Sequence, residues 1–423
     1  MANATAADQG PLVTADGRSL KASLNRALLR KKLIALGMVV PLFIFIMATF
    51  MVPIANMLIR SIDNQIVSDI LPRSVEALKS WDETTGELPS EAVYKAMVED
   101  LVEAKKARTN TKVGQRLNYE KPGMSSMFRS SARKVGKLKE GPYKEALIKI
   151  DKKWGDVANW QTIKLFSGAY TAGYFLAAAD AQNTVDNGVE FVDSDKAIYG
   201  KLFLRTIILS VVITLLTLLL GFPIALLIAT QPTRIGNLLI ICVLLPFWTS
   251  LLVRTTSWIA LLQQQGIIND ILVFIGIIGD DGRLAMIHNA TGTVIAMTHI
   301  LLPFMVLPLY SVMKTIPPTY MRAATSLGAH PFPAFWKVYF PNTVPGIGAG
   351  AILVFILAIG YYITPELVGG TDGTFISNRI AYNISSSLNW GLAAALGVIL
   401  LGIVLVCYLL YDKIVGIDNM KLG

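Results

Sequence analysis

The sequence predicts an all-α polytopic membrane protein with six transmembrane helices, and three observations carry that prediction. First, 53% of the 423 residues are hydrophobic and only 16% are charged, whereas a soluble domain carries about 25% charged residues. Second, the charges crowd into residues 1–32 and 60–201, and the rest falls into apolar runs long enough to cross a bilayer. Third, lysine and arginine gather at alternate ends of those runs, as the positive-inside rule requires.

Residues 1–32 are read as a cytoplasmic N-terminal tail ending in Arg26, Arg30, Lys31 and Lys32. The run 33–59 exceeds the roughly 7–15 apolar residues of a signal peptide, so it is read as an uncleaved first span. Residues 60–200 then form an extracytoplasmic insert, mostly helical. Helical patterning covers Ser90–Arg108, Pro142–Lys153 and Trp160–Ala179, while Thr109–Gly141, rich in Gly, Ser and Lys, reads as a loop. Long loops translocate whatever their charge, so the basic stretch Lys105–Lys153 does not disturb this topology.

The core, 201–412, holds spans two to six at Lys201–Ala229, Ile235–Leu262, Thr291–Val312, Pro345–Ile363 and Leu392–Tyr411, followed by a cytoplasmic tail, 413–423. The inner connections carry Arg234, then Lys314, Arg322 and Lys337, then Lys413 and Lys421. The outer ones carry Asp270, Asp280, Asp281, Glu366 and Asp372 against Arg283 and Arg379. Both termini are therefore expected in the cytoplasm. Pro223, Pro246, Pro303 and Pro308 punctuate the spans, and kinked helices suit a bundle that lines a cavity.

The net charge of +9 is explained by topology, so no nucleic-acid partner is expected. The two cysteines, Cys242 and Cys407, lie in apolar runs, with no metal-ligand spacing and no disulfide framework. Asp280-Asp281-Gly282-Arg283 supplies too few oxygens for a hard cation and reads as a solvated turn. The chain carries no nucleotide-binding loop or HExxH sequence, so no catalytic residue, metal or cofactor is assigned to it. Any energy source lies in a partner or an ion gradient.

The inner loop 314–342 is the most informative segment. Pro317 and Pro318 suit a helix start, where a missing N–H costs little. Gly328 suits the left-handed residue that ends a helix. A second short helix is expected from near Pro333 to just before Pro341. Ala323, Ala324 and Gly328 are small enough to let another protein's backbone approach.

This loop resembles the motif of binding-protein-dependent ABC importer permeases. The family pattern is Glu-Ala-Ala, three residues, Gly, nine residues, an aliphatic residue, one residue, then a hydrophobic residue and Pro. Here Arg322-Ala323-Ala324, Gly328, Val338 and Phe340-Pro341 match the spacing, with Arg322 in place of the family's Glu. The segments Leu245-Pro-Phe-Trp-Thr-Ser-Leu-Leu-Val-Arg254, Leu307-Pro-Leu-Tyr-Ser311, Pro345-Gly-Ile-Gly-Ala-Gly350 and Glu366-Leu-Val-Gly-Gly370 resemble the spermidine/putrescine permeases. The resemblance implies a type I ABC importer permease in a bacterial inner membrane. It would have a cytoplasmic ATPase dimer docked at Arg322, Ala323, Ala324, Gly328, Val338 and Pro341, a second permease subunit, and a periplasmic solute-binding protein. The basic residue at 322 alters any ion pair the family's Glu would make.

A cationic, polyamine-like solute would find a carboxylate in Glu366 and aromatic faces in Trp248, Tyr310, Tyr361 and Tyr362. The competing readings are a solvated carboxylate capping the turn after Pro365 and interfacial aromatic anchors. His299 is read as a hydrogen-bonded packing residue. The alternatives for the whole chain are an ion-gradient transporter and a receptor or scaffold working through the 60–200 insert.

Overall fold

The computed structural model describes residues 20–138, 141–184 and 188–415. The tail readings at 1–19 and 416–423, including Lys421, lie outside the described residues. The chain divides into two units, Met1–Ile59 and Arg60–Gly423.

In the first unit, a helix Leu20–Ile46 passes through a π-helical turn, Met47–Met51, into Val52–Arg60. The turn ends two residues before Pro53. A proline removes its own N–H and crowds the carbonyl four residues back. Widening the preceding turn relieves that crowding, so the Val52 N–H bonds to Met47 O, five residues back.

The second unit holds four more helices long and apolar enough to cross a membrane: Tyr199–Thr230, Ala290–Thr315, Pro331–Gly360 and Trp390–Lys413. A bent pair, Thr233–Trp248 and Leu251–Phe274, makes a sixth span if it is counted as one. The predicted continuous third span is thus two helices meeting at 94°. Pro246 sets the break, in a 3-10 turn Leu245–Trp248, after which Thr249 and Ser250 are extended. The Thr249 N–H and hydroxyl both bond to Pro246 O. Pro223, Pro303 and Pro308 lie inside unbroken helices.

The second correction concerns the inner loop. Its second helix does not stop before Pro341. Pro331–Ala334 runs through a π-helical turn, Phe335–Tyr339, into Phe340–Gly360. The device is the same as at Pro53, a π turn ending two residues before a proline. Span five therefore begins well before the predicted Pro345 and ends at Gly360, so Glu366 belongs to a separate short helix, Ile363–Val368.

Tyr199–Thr230, Ala290–Thr315 and Phe340–Gly360 share one buried core built on Ile213, Ala225, Leu301, Met305, Leu309 and Val354. Glycines bring the last two helices together. A Cβ on Gly346 would lie 3.0 Å from Val312 Cβ and 3.2 Å from Leu309 Cα. One on Gly350 would lie 3.2 Å from Met305 O. Within a bilayer, such close backbone approach replaces the hydrophobic drive between helices.

The described residues between 65 and 178 are mostly helical, with their own core of Tyr94, Met97, Leu117, Phe128, Trp154 and Trp160 among others. The stretch Thr109–Gly141 is not a loop: Asn110–Asn118 and Met124–Lys134 are helices. Their buried residues fall at helical spacing, Val113 with Leu117 and Met124 with Met127, Phe128 and Ser131. The polar opposite faces hid this stripe. Trp160–Ala179 is interrupted, helical at Val157–Leu165 and Gly173–Ala178. A short antiparallel strand pair, Ala181–Thr184 with Gly188–Phe191, follows.

Arg116 ties this layer together. Its fully buried guanidinium donates to Asn64 Oδ1 at 2.7 Å, pairs with Glu120 at 2.6 Å and stacks on Tyr174 at 4.6 Å. Burial pushes the Tyr174 phenol up to about 12. The same ring packs on Gly391 at the start of the last span, where a Cβ would lie 2.3 Å from it. Tyr119 adds a hydrogen bond from its hydroxyl to Ser387 O at 2.8 Å. Gly391→Ala is expected to displace Tyr174 at a cost of about 1–3 kcal/mol. The measurement is proteolysis of residues 60–200 in the purified protein; unchanged sensitivity would show that this contact does not hold the layer in place.

Candidate functional site

Two places in the second unit carry the predicted residues. The first is the loop joining Ala290–Thr315 to Pro331–Gly360. Pro317 precedes a nine-residue helix, Pro318–Ser326, with Pro318 at its first position. The helix ends in a double hydrogen-bonded cap, with the Gly328 N–H on Thr325 O at 3.0 Å and the Ala329 N–H on Ala324 O at 3.1 Å. Gly328 holds φ +89°. Arg322, Ala323 and Gly328 are exposed, and Ala324 is half-buried. Around them stand exposed apolar side chains, Tyr320, Leu327, Phe332 and Trp336, with Leu327 89% exposed. Val338 is half-buried in the π turn, and Pro341 is exposed one turn later. The loop thus presents a short helix with one small-residue edge and an apolar surround. Met321 is half-buried and borders a groove of about 450 Å³ with Pro223, Leu227, Thr230, Phe335 and Tyr339.

The second place is a cavity of about 390 Å³ lined by Lys201, Arg205, Glu366, Asn378, Arg379 and Tyr382, among others. Lys201 and Arg205 sit one turn apart at the start of Tyr199–Thr230. Glu366 comes from the short helix Ile363–Val368, and Asn378, Arg379 and Tyr382 from Ile376–Ser385. Asn378 organises the corner. It donates from Nδ2 to Glu366 Oε2 at 2.7 Å and to Tyr362 O at 2.9 Å, while its Oδ1 accepts from the Phe375 N–H. Ser377 Oγ donates to Tyr361 O at 2.6 Å. The break at Tyr361–Tyr362 is therefore held by side chains of the following helix.

The predicted solute-path residues do not gather in one site. Glu366 lines the cavity, and Tyr361 and Tyr362 adjoin it through their backbone. Tyr361 packs on the membrane-helix core, as does Tyr310, and Trp248 is 76% exposed beside the Pro246 break. Elsewhere, Trp258 Nε1 donates to His299 Nδ1 at 3.2 Å. Arg283 pairs with Asp270 and Asp280 at 2.7 and 2.8 Å. Lys201, Arg205, Asn378 and Arg379 were missed. The i, i+4 spacing of Lys201 and Arg205 is the available signal, but both fall inside the predicted span Lys201–Ala229.

Residues 197–415 match the family described as binding-protein-dependent transport system inner membrane component. The chain is 32% identical over 228 residues to the spermidine/putrescine transport system permease protein PotB of Escherichia coli (strain K12), across 53% of this chain and 81% of that one. It is 29% identical over 266 residues to the inner membrane ABC transporter permease protein YdcU of the same organism, across 60% and 82%. Among solved structures, a bacterial ABC transporter involved in import of the acidic polysaccharide alginate aligns over 52% of this chain and 79% of that chain. The identity there is 18% and the TM-score 0.41.

Proposed function

The chain belongs to the family of binding-protein-dependent transport system inner membrane components, and we propose that it moves a small, polyamine-like amine inward, driven by ATP hydrolysis on a separate subunit. It is a multi-pass inner-membrane permease subunit of an ABC importer, a transport component and not an enzyme. The proposal places both termini and the Pro318–Ser326 loop in the cytoplasm, and residues 60–200 with the Glu366 cavity outside. An ATPase dimer docks on the loop, a second permease completes the path, and a soluble binding protein delivers the solute.

The observation that carries this reading is the loop helix. It stands exposed between two core helices, started by Pro317-Pro318 and closed by a hydrogen-bonded cap at Gly328, with small residues at Ala323 and Ala324 and apolar side chains around them. A bare connector gains nothing from exposing Leu327, Phe332 and Trp336, whereas a docking surface does. The amine reading is supported by Glu366 and by the similarity to PotB, a spermidine/putrescine transport system permease protein.

Affinity purification of the detergent-solubilised protein from its own host is expected to recover a nucleotide-hydrolysing subunit in stoichiometric amount. Uptake into proteoliposomes should require internal ATP and stop with vanadate. Uptake driven by an ion gradient without ATP would establish a secondary transporter instead.

A further inference from the structure

The Glu366 cavity carries more positive than negative charge. Lys201, Arg205 and Arg379 line it with Glu366. Among the described residues, none of the three cations pairs with a carboxylate. Lys201 Nζ donates to Ser194 O at 3.0 Å, Arg205 Nη1 donates to Thr371 O at 2.6 Å, and Arg379 lies over the Tyr382 ring at 5.6 Å. Asp180, at the head of the helix carrying Lys201 and Arg205, is committed elsewhere. Its carboxylate accepts the N–H groups of Ile198, Tyr199 and Gly200. Glu366 spends one oxygen on Asn378. A cavity built for a pure polycation would set carboxylates around the path, because like charges across a recognition site cost affinity. Two guanidiniums and an ammonium facing one carboxylate suit a ligand with both signs of charge. Arginine is suited to carboxylates through paired N–H donors. The volume of about 390 Å³ falls in the range of small-molecule sites.

We propose that this cavity binds a small solute bearing a carboxylate as well as an amine, the carboxylate among Lys201, Arg205 and Arg379 and the ammonium at Glu366. The inference rests on the permease reading and, within amines, replaces the polyamine with an amino-acid-like solute.

Ornithine and putrescine separate the two, because they share a carbon chain and differ by one carboxylate. Binding of each is measured calorimetrically on the purified chain in nanodiscs of zwitterionic lipid, without binding protein or ATPase. Failure of the importer reading therefore leaves the result interpretable. Ornithine is expected to bind at least about tenfold more tightly than putrescine, as one charge-assisted hydrogen-bonded pair predicts. Arg379→Gln should bring the two within a few-fold, Arg379→Lys should keep most of the preference, and Glu366→Gln should weaken both ligands. Equal or tighter binding of putrescine by the wild type overturns the proposal, as does an unchanged preference in a folded Arg379→Gln variant. Loss of ornithine binding in nanodiscs containing anionic phosphatidylglycerol also overturns it, by assigning the cations to lipid headgroups.

Discussion

Gly328→Asp is expected to abolish uptake. Nothing lies within 4 Å of a Cβ built on Gly328, so space is not the constraint. The constraint is φ +89°, which an L side chain adopts at a cost of about 1–2 kcal/mol. A carboxylate at the C-terminal end of a helix adds about 0.3–1 kcal/mol of unfavourable interaction with the unsatisfied carbonyls. The Pro318–Ser326 helix has only nine residues and is largely exposed, so little packing opposes unravelling of its last turn. Loss of about 2 kcal/mol of docking corresponds to roughly thirtyfold weaker association. Uptake and recovery of the ATPase subunit should fall together. Gly328→Ala isolates the backbone strain and should be intermediate. Gly328→Asn matches Asp in shape and in its tolerance of the left-handed region but carries no charge, so its smaller loss relative to Gly328→Asp measures the carboxylate's interaction with the helix end. Wild-type uptake with normal ATPase recovery in Gly328→Asp would remove the loop from coupling.

This loop was legible because its signals are local. Pro318 and Gly328 each impose a backbone condition that does not depend on distant neighbours, and the structure places them at the start and end of one helix. The apolar spans were legible for a similar reason, since length and hydropathy suffice. Prolines were not. Pro246 breaks its span, while Pro303 and Pro308 ride inside a continuous helix most of whose window is buried. Whether neighbours compensate a lost N–H is a tertiary fact. Pro341 shows the same limit: a π turn absorbs it, and the expected helix end became a helix interior. In the insert, composition outweighed period, so a Lys- and Ser-rich segment with a buried Val113, Leu117 and Phe128 stripe read as a loop. The Glu366 cavity was only partly legible. Lys201 and Arg205 lie far from Arg379 in sequence, and only the return of Ile376–Ser385 against the head of Tyr199–Thr230 brings them together. That return is fixed by a hydrogen bond between the Ile376 N–H and Thr206 Oγ1 at 2.8 Å.

The Gly346 crossing decides whether motion at the loop reaches the membrane core. The two helices flanking the loop, Ala290–Thr315 and Pro331–Gly360, meet where Gly346 faces Pro308, Leu309 and Val312. The atoms nearest a Cβ there include backbone, Leu309 Cα and Pro308 O, both at 3.2 Å. Backbone cannot rotate away as a side-chain tip can, so Gly346→Leu must part the helices. Overpacking of this kind costs about 1–3 kcal/mol, and it also strips contacts from Met305 and Leu309 beneath. The expected result is a lower melting temperature in detergent and loss of uptake, even though residue 346 lies on neither the loop helix nor the cavity. Gly397→Ala is the matched control, because nothing lies within 4 Å of its Cβ and alanine favours a helix. It should leave the melting temperature unchanged or slightly raised. If Gly346→Leu melts like the wild type but no longer imports, the crossing acts as a hinge and not only as packing. If it melts and imports like the wild type, the close approach of these two helices is dispensable, and force from the loop must reach the core by another route.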